Sequence, residues 1–411
     1  MNKKRVLIVV HGHPDLNKGG GEIAAYNLYQ ALNERTDYEA LFLGKGKTSA
    51  YHGGTPFSAR AENEFLFYSE AFDFFKFSQH ESNKHIFWLR FRELIEELKP
   101  TIVHFHHYLH LGLEALRVVK NVDPDIKIVL TLHEYLAICH NSGQMIKTNK
   151  KLCYSASPAD CQLCFPDQTA QNFFLRELYI KSFFHLVDKF ISPSEFLKER
   201  YVNWGIESEK IAVIENGQTP VEDNESPEAA KPNRFAYFGQ FTQFKGLDVL
   251  LEAIDLLPKQ VRKAIHLDVH GLGLEIQPKP FQKKVGRLLK KLSGSVTNHG
   301  AYEPYELGKL MQDVDWVVVP SSWWENSPLV IQEAFNHKKP VICSDIGGMA
   351  EKVQDGVDGL HFRASKATSL SGVIEKAANN SVLYAQLVAN IRAPISHLKN
   401  AEEHHKLYSA I

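Results

Sequence analysis

The chain has 411 residues, which is more than one hydrophobic core usually supports and suits two domains. Its composition, 44% hydrophobic and 23% charged, is typical of a globular protein and excludes a disordered chain. The formal net charge of −1 gives no overall attraction for nucleic acid, so we expect no nucleic-acid partner.

The N-terminal apolar run, Val6–Val10, is too short for the core of a signal peptide or for a membrane span. The sequence contains no stretch of about 18 consecutive apolar residues. These features predict a cytoplasmic protein. If it meets a membrane, it does so as a peripheral protein on the inner face.

Short apolar runs alternate with helical patterns in the first half of the chain. A glycine loop follows the first run and precedes a predicted helix, Glu22–Leu32. The predicted strands are Val6–Val10, Ala40–Leu43, Thr101–Phe105, Lys127–Leu132, Lys189–Ser192 and Lys210–Glu215. Strands that alternate with helices predict a parallel sheet covered by helices on both faces.

Two aromatic-rich segments interrupt this pattern. Residues 57–91 contain eleven aromatic residues, with basic residues among them, and Phe173–Val187 is similarly rich. One interpretation of each segment is a helix packed on the sheet. The other is an interfacial patch for a lipid-linked partner or a membrane surface. We favour packing for both segments.

Residues 217–234 contain three prolines, four acidic residues and almost no bulky apolar side chain, which predicts a linker. After it the alternation restarts. The predicted strands there are Phe235–Phe238, Ile265–Val269, Ser295–Asn298, Trp316–Val319 and Val341–Cys343, and a predicted helix spans Gly246–Leu257.

We therefore predict two Rossmann-like doubly wound domains, residues 1–216 and 235–395, that face each other across a cleft. Residues 396–411 are predicted to form a helix that packs back on the N-terminal domain.

Glu325 and Glu333 are eight positions apart, and Ser327-Pro328 between them predicts a helix start, with Ser327 as N-cap and Pro328 as the first helical residue. The N-terminus of a helix is an anion site, because its first N–H groups are unpaired and the helix dipole is positive there. Two carboxylates beside an anion site suit a diphosphate with hydroxyls on both sides, such as a nucleotide sugar. Alone, the pair is equally compatible with one exposed and one paired carboxylate.

Two further loops fit this interpretation. Gly19–Gly21 precede a helix and would let the backbone approach a phosphate or sugar closely, without the GxGxxG spacing of a dinucleotide site. Lys245 stands at the start of the predicted helix Gly246–Leu257, where a lysine can clamp a diphosphate.

With these motifs in view, nearly the whole chain resembles a GT-B glycosyltransferase of the large retaining family called glycosyl transferases group 1, or family four. The resemblance rests on the Gly-Gly-Gly-Glu loop, the histidine that ends "VLTLH", "ISPSEFLKERY", "VIENG", "YFGQFTQFKG", the Glu-x7-Glu pair and "PVICSDIGGMAEKVQDGVDGLHF".

The resemblance implies roles for individual positions. Glu333 resembles the glutamate that binds the donor's ribose, Glu325 the one that faces the transferred sugar, and Lys245 the diphosphate lysine. His133 resembles the histidine near the reacting carbon. We therefore take His133, Glu325 and Lys245 as catalytic candidates. Further donor-binding positions implied by the resemblance are Gly20, Gly21, Gln240, Asn298, Tyr302, Asn326, Ser327, Pro328 and Leu329.

Gln240 departs from the family pattern, which usually has an arginine there. Glutamine can donate a hydrogen bond but cannot neutralise charge, so Lys245 and helix N-termini would have to stabilise more of the negative charge on the leaving diphosphate.

The resemblance implies a retaining, metal-independent hexosyltransferase that needs no cofactor. It would move a sugar from a nucleotide sugar to a glycan or lipid-linked glycan in cell-surface polysaccharide biosynthesis. The alternatives are a nucleotide-sugar epimerase of the same fold and a non-catalytic subunit that binds a glycan or a partner.

Two clusters of potential metal ligands remain. His104, His106 and His107 could bind zinc, but we favour strand-end residues on the acceptor side. A second cluster holds four cysteines with a single CxxC motif, and these either close a tetrahedral structural zinc site or remain reduced thiols. The four are Cys139, Cys153, Cys161 and Cys164.

Overall fold

A computed structural model of the chain describes residues 4–16, 19–34, 37–47, 55–69, 71–80, 84–221 and 232–411. The chain forms two compact units. The first unit is Met1–Gly217 together with Ile395–Ile411, and the second unit is Gln218–Pro394. Most of the predicted linker, residues 222–231, lies outside the described residues.

The first unit contains an eight-stranded sheet in its described part, with strand order β10-β9-β8-β7-β1-β2-β4-β3. Its members are β1 Lys4–Val10, β2 Tyr38–Lys45, β3 Phe57–Ala61, β4 Glu64–Phe67, β7 Ile102–Phe105, β8 Lys127–Thr131, β9 Lys189–Ser192 and β10 Ile211–Val213. All pairs are parallel except β3 with β4. A separate two-stranded hairpin joins β5 Phe72–Asp73 and β6 Ser78–Gln79.

Helices of the first unit follow the strands, as the alternation predicted. They are α1 Gly20–Asn33, α2 Lys84–Leu98, α3 Glu114–Val122, α4 Pro158–Cys164, α5 Ala170–Phe184 and α6 Glu195–Asn203. The predicted helix Glu22–Leu32 is confirmed within α1, and the aromatic segment Phe173–Val187 lies mostly within α5.

The helical prediction for residues 57–91 is wrong over its first part. The hairpin of β3 and β4 extends the sheet from β2, and a helix begins only at Lys84. Alternating aromatic residues suit a pleated strand as well as a helix, which explains the error. Packing is confirmed for five of the eleven aromatic side chains, which are buried, Phe67, Phe77 and Phe91 among them, whereas Phe74 is 53% exposed.

The C-terminal helix α15, His397–Ser409, belongs to the first unit. Its side chains Ala401, Leu407 and Tyr408 join the apolar cluster formed by β1, β2 and α1. The phenol of Tyr408 also hydrogen-bonds Nδ1 of His104 in β7 at 2.7 Å. The last helix of the chain thus completes the core of the first unit.

The second unit contains a six-stranded parallel sheet in its described part, with strand order β13-β12-β11-β14-β15-β16. Its strands are β11 Arg234–Phe238, β12 His266–His270, β13 Val296–Gly300, β14 Trp316–Val319, β15 Val341–Ser344 and β16 Gly359–Phe362. Five of these confirm predicted strands. The sixth, β16, is a short strand that the sequence analysis missed.

Helices of the second unit cover both faces of this sheet. They are α7 Leu247–Leu256, α8 Lys259–Ala264, α9 Lys279–Lys291, α10 Leu307–Gln312, α11 Leu329–Asn336, α12 Gly347–Lys352, α13 Ala367–Ala378 and α14 Ser381–Asn390. Along β11, Phe235 and Tyr237 join one buried cluster while Ala236 and Phe238 join another. Because successive strand residues point to opposite faces, the two clusters are cores on the two sides of one sheet.

None of the helices in the described ranges is long and apolar enough to cross a membrane.

Candidate active site

A glycine turn places Lys245 next to the loop that follows β14. Gly246 precedes α7 with φ of +72°, a left-handed conformation that favours glycine. A Cβ atom on Gly246 would lie 1.9 Å from the carbonyl oxygen of Pro320. Only glycine avoids this collision, so the close contact brings Lys245 beside residues 320–327.

Three donors converge on one carboxylate oxygen of Glu325. Its Oε1 accepts hydrogen bonds from Lys245 Nζ at 2.7 Å, from Ser321 Oγ at 2.7 Å and from Trp323 Nε1 at 2.9 Å. Glu325 is only 6% exposed, and a buried carboxylate needs such a cation and such donors. No group in the described part of the chain donates to Oε2, so that oxygen remains available to a ligand.

The backbone of this loop is held by α12. The N–H group of Gly348 donates to the carbonyl oxygen of Glu325 at 2.7 Å. A Cβ atom on Gly348 would lie 1.7 Å from the carbonyl oxygen of Asn326, and Gly347 has φ of +63°. The glycine pair after β15 therefore lets α12 begin directly against the loop that carries Glu325.

Helix α11 begins one residue later than predicted. Pro328 is its N-cap residue, with ψ of 116°, and Leu329 is its first helical residue. The prediction that Ser327 caps the helix is wrong, since no side chain caps it. Instead, the Ser327 Oγ atom is buried and has no hydrogen-bond partner among the described residues. A buried hydroxyl without a partner costs free energy, and a ligand that bonds it would remove that cost.

Glu333 lies about one helical turn beyond Leu329, the start of α11. Burial raises the pKa of its carboxyl group to about 7 from the usual 4.5. No hydrogen bond from the described residues contributes to this shift, so the carboxylate retains its capacity to accept hydrogen bonds from a ligand. Burial, and secondarily the charge of Glu333, also raises the pKa of the Tyr302 phenol, so Tyr302 is neutral and lies near this carboxylate.

The remaining predicted donor residues of the second unit lie at strand ends. The side chain of Gln240 is exposed, and its backbone carbonyl accepts a hydrogen bond from the Tyr237 hydroxyl at 2.8 Å. Asn298 Oδ1 accepts the N–H of Gly300 at 3.2 Å. The Tyr302 ring packs edge-on against Phe238, with 5.6 Å between centroids.

The first unit brings several histidines together at the ends of its parallel strands. His106 Nδ1 and His133 Nε2 share a hydrogen bond of 3.0 Å. A Cβ atom on Gly21 would lie 3.7 Å from the His133 ring, in ordinary contact, and Gly20 is the first residue of α1. Burial, with nearby imidazoles, lowers the pKa values of His107 and His133 to about 3, so both rings are neutral at neutral pH.

His11 and Glu22 lie beside this histidine group, and neither was identified from the sequence. His11 directly follows β1, and its ring lies 4.5 Å from that of His107. Its Nε2 lies 3.2 Å from Glu22 Oε1 in the first turn of α1. Both positions were visible as polar residues beside the glycine loop, but their convergence on His107 depends on the pairing of β1 with β7.

His104, in contrast, is fully buried inside the first unit. Its Nε2 bonds Thr131 Oγ1 at 2.7 Å, and its Nδ1 bonds the Tyr408 hydroxyl. Both ring nitrogens are thus engaged within the protein, and none is left for an acceptor. His106 and His107 are also largely buried, but they lie in the loop after β7 and next to His133 and His11.

The four cysteines of the loop between β8 and α5 line one cavity of about 20 Å³. All four are free thiols. As the side chains stand, no three His, Cys, Asp or Glu residues in the described ranges are arranged to hold a metal ion, and this includes the two clusters considered from sequence. The four cysteines thus lie around one cavity, and the zinc site remains a prediction.

Two halves of the chain match two family descriptions. Residues 18–219 match Glycosyltransferase Family 4, and residues 218–393 match Glycosyl transferases group 1. Among solved structures, Anabaena HepE in complex with UDP and glucose has a TM-score of 0.69 at 17% identity over 100% of both chains. Sucrose-phosphate synthase from Thermosynechococcus elongatus has a TM-score of 0.70 at 18% identity over 99% of both chains.

The two parallel αβ sheets and these structural neighbours define a GT-B fold with two Rossmann-like domains. The chain belongs to the group 1, family 4 glycosyltransferases.

Curated relatives match part of the chain. The lipopolysaccharide 1,2-N-acetylglucosaminetransferase of Salmonella typhimurium is 28% identical over 186 residues, which is 42% of this chain and 48% of that protein. The D-inositol 3-phosphate glycosyltransferase of Arthrobacter is 32% identical over 139 residues, 34% of this chain and 32% of that protein. The chain thus matches about half or less of the length of these relatives.

Proposed function

We propose that the chain is a hexosyltransferase that moves a sugar from a nucleoside diphosphate donor to a glycan or lipid-linked glycan with retention of configuration. The observation that carries this proposal is the Lys245–Glu325 pair beside the start of α11, with Glu333 one turn farther along that helix. A cation, unpaired helix N–H groups and two carboxylates match the charge pattern of a nucleotide sugar.

The second unit would bind the donor. Glu333, whose pKa shift has no hydrogen-bond contribution from the described residues, would accept hydrogen bonds from the two ribose hydroxyls. The diphosphate would lie at Lys245 and at the N-terminus of α11, where the Ser327 hydroxyl is also unpaired in the described part of the chain. Glu325 would present Oε2 to a hydroxyl of the transferred sugar. Asn298 and Tyr302 would lie beside the base, as the family resemblance implies.

Departure of the diphosphate is the step that needs stabilisation. Negative charge grows on the leaving oxygen, and Lys245 with the helix N-terminus would stabilise it without a catalytic metal. The configuration of the anomeric carbon is retained if the acceptor hydroxyl attacks this carbon from the face that the diphosphate leaves. The leaving phosphate oxygen would then take the proton of the acceptor hydroxyl. The neutral His133, with Gly20 and Gly21 nearby, would hydrogen-bond the transferred sugar from the first unit.

The names of similar proteins support the substrate classes. HepE was crystallised with UDP and glucose, and one relative acts on lipopolysaccharide. We therefore propose a nucleotide-sugar donor and a role in cell-surface polysaccharide biosynthesis. Exposed apolar side chains on α5, Phe174, Leu175 and Leu178, support a peripheral contact with the inner face of a membrane that carries the acceptor.

Hydrolysis of a panel of UDP-, GDP- and ADP-sugars, followed by product stereochemistry, tests the proposal. Slow release of the α-sugar from an α-linked donor is the expected result. Conversion of the donor into its epimer would favour the epimerase instead. Failure of UDP, GDP and ADP to raise the melting temperature would favour a non-catalytic subunit, an alternative that the uncharged Gln240 keeps open.

We also propose that the four-cysteine loop binds one structural zinc ion. Four thiols around one small cavity support this, since Cys₄ is a common zinc ligand set, although the side chains would have to rotate toward the ion. Elemental analysis of the purified protein should give about one zinc per chain, lost in Cys161→Ser and kept in Cys343→Ala. Cys343 is a buried thiol in β15, outside the loop, and serves as the matched control. A metal content near zero in the unaltered protein would overturn the zinc assignment and leave the transferase proposal intact.

A further inference from the structure

Two residues that the sequence analysis did not place in the site hold the Glu325 carboxylate together with Lys245. Ser321 and Trp323 both donate to Oε1, the oxygen that also receives the lysine. Ser321 is 1% exposed, so it has no contact with bulk solvent. The Lys245 ammonium lies 5.8 Å from the centroid of the Trp323 ring, so this indole faces both partners of the ion pair.

The proposed function creates a conflict at this ion pair. The same ammonium that neutralises Glu325 in this structure would have to serve the donor diphosphate. When Lys245 turns to the phosphates, Glu325 loses part of its charge compensation while it is still buried. A buried carboxylate without sufficient partners would rotate toward other donors or toward solvent. This movement would displace the oxygen that is proposed to face the sugar.

We infer that Trp323 and Ser321 are positioning residues that keep the Glu325 carboxylate in place when Lys245 engages the donor diphosphate. The inference rests on the proposed function. Both donors are neutral and lie on the same oxygen as the lysine, so they remain on Oε1 whether or not the ammonium stays. Oε2 would thus keep its proposed place beside the transferred sugar.

The surrounding backbone supports this role. The carbonyl of Glu325 is held by the N–H of Gly348, and a Cβ on Gly348 would collide with the carbonyl of Asn326. With the backbone held in this way, the freedom that remains to Glu325 is rotation of its side chain. The indole N–H and the serine hydroxyl restrict that rotation.

Steady-state kinetics of Trp323→Phe and Ser321→Ala test the inference. Trp323→Phe removes the N–H and keeps a ring, and Ser321→Ala removes one hydroxyl. We expect kcat to fall about 10-fold in each, because a charge-assisted hydrogen bond contributes roughly this factor, while the donor KM changes less than about 3-fold. Ser322→Ala is the matched control, since the Ser322 hydroxyl bonds the Phe244 carbonyl at 3.3 Å and not Glu325. It should retain the kcat of the unaltered protein.

A double-mutant cycle separates positioning from a general structural role. In a Glu325→Ala background, Trp323→Phe should have no further effect on kcat, because the carboxylate through which it acts is absent. An equal loss of kcat in both backgrounds, or unaltered kinetics in Trp323→Phe, would overturn the inference. Thermal unfolding of each variant identifies a loss that comes from destabilisation instead.

The outcomes also distinguish this inference from the proposed function. If Glu325→Ala turns over normally, the role proposed for Glu325 fails. If Glu325→Ala is slow but both Trp323→Phe and Ser321→Ala are not, only the positioning role fails.

Discussion

The two units place different chemistry at equivalent positions of their sheets. In the first unit, the loops after β1, β7 and β8 carry His11, His106 and His133, whose rings burial keeps neutral. In the second unit, the loops after β11 and β14 carry Lys245 and Glu325, which form an ion pair. Loops at the carboxyl ends of parallel strands thus carry neutral imidazoles in the first unit and a lysine and a glutamate in the second unit.

This difference fits a division of labour within the proposed reaction. A diphosphate requires a cation, whereas a sugar requires hydrogen-bonding groups that do not alter its charge. Substitutions that remove a charge from the second unit should therefore have larger effects than substitutions that remove an imidazole from the first.

Lys245→Ala should lower kcat for sugar transfer by about 100- to 1,000-fold, because the cation stabilises charge that grows on the leaving group. The donor KM should change much less. Transfer assays with the identified donor measure both quantities. Lys283→Ala, which removes an exposed lysine on α9, is the control and should leave kcat unaltered. A kcat within about 3-fold of the unaltered protein would contradict the clamp role.

Glu333→Ala should raise the dissociation constant for the nucleoside diphosphate by about 100-fold. The variant would lose two hydrogen bonds from the ribose hydroxyls to the carboxylate, and each bond to a charged group contributes about 1.5–3 kcal/mol. Calorimetry with UDP, GDP or ADP measures the change. A matched titration with the corresponding 2′-deoxynucleotide should show a smaller difference between the two proteins, and an equal difference would argue against a ribose contact.

His133→Ala should lower kcat by about 10-fold, the effect of one neutral hydrogen bond. Because burial keeps the pKa of His133 at about 3, the unaltered protein should show no change in rate from titration of this ring between about pH 6 and pH 8. Rates across that interval, in both proteins, measure the two effects. A rate that follows an imidazole titration in the unaltered protein, but not in His133→Ala, would show that the ring is charged during turnover.

Glu333→Gln should change stability in a pH-dependent way. The folded protein keeps the Glu333 proton up to about pH 7, whereas the unfolded chain releases it near the usual 4.5. Stability of the unaltered protein is therefore lost as pH rises through this window. The glutamine variant avoids the loss and should gain about 2 kcal/mol relative to the unaltered protein between pH 5 and pH 8. Urea unfolding at both pH values measures it, with the exposed Glu199→Gln as control.

Periodicity predicted the fold because most strands here are continuous apolar runs with clear ends. Trp316–Val319 and Lys189–Ser192 match the observed strands residue for residue. β16 was missed because Gly359 and His361 occupy half of its positions, and its burial depends on pairing with β15. The start of the segment 57–91 was wrongly predicted as a helix, because aromatic side chains are compatible with strands as well as helices.

Only those residues of the candidate site that belong to a sequence motif could be predicted. Glu325, Glu333 and Lys245 were recognised from their spacing and setting, and the contact of Lys245 with Glu325 then follows from the fold. Ser321 and Trp323 could not be assigned, because only the path of the backbone shows that their donors point to one oxygen. Ser327 was assigned as a cap, since a serine before a proline often caps a helix, and only its burial revealed an unpaired hydroxyl.

The hydrogen bond between His104 and Tyr408 has a consequence for how the protein is made. The two residues are 304 positions apart, and the second unit is encoded between them. During translation, the sheet of the first unit emerges before the second unit, but the helix that covers His104 emerges only after it. The core of the first unit therefore cannot close until the second unit has been synthesised. In a nascent chain stalled before residue 397, this sheet would be exposed at His104. We expect chaperones to bind the nascent chain at this stage.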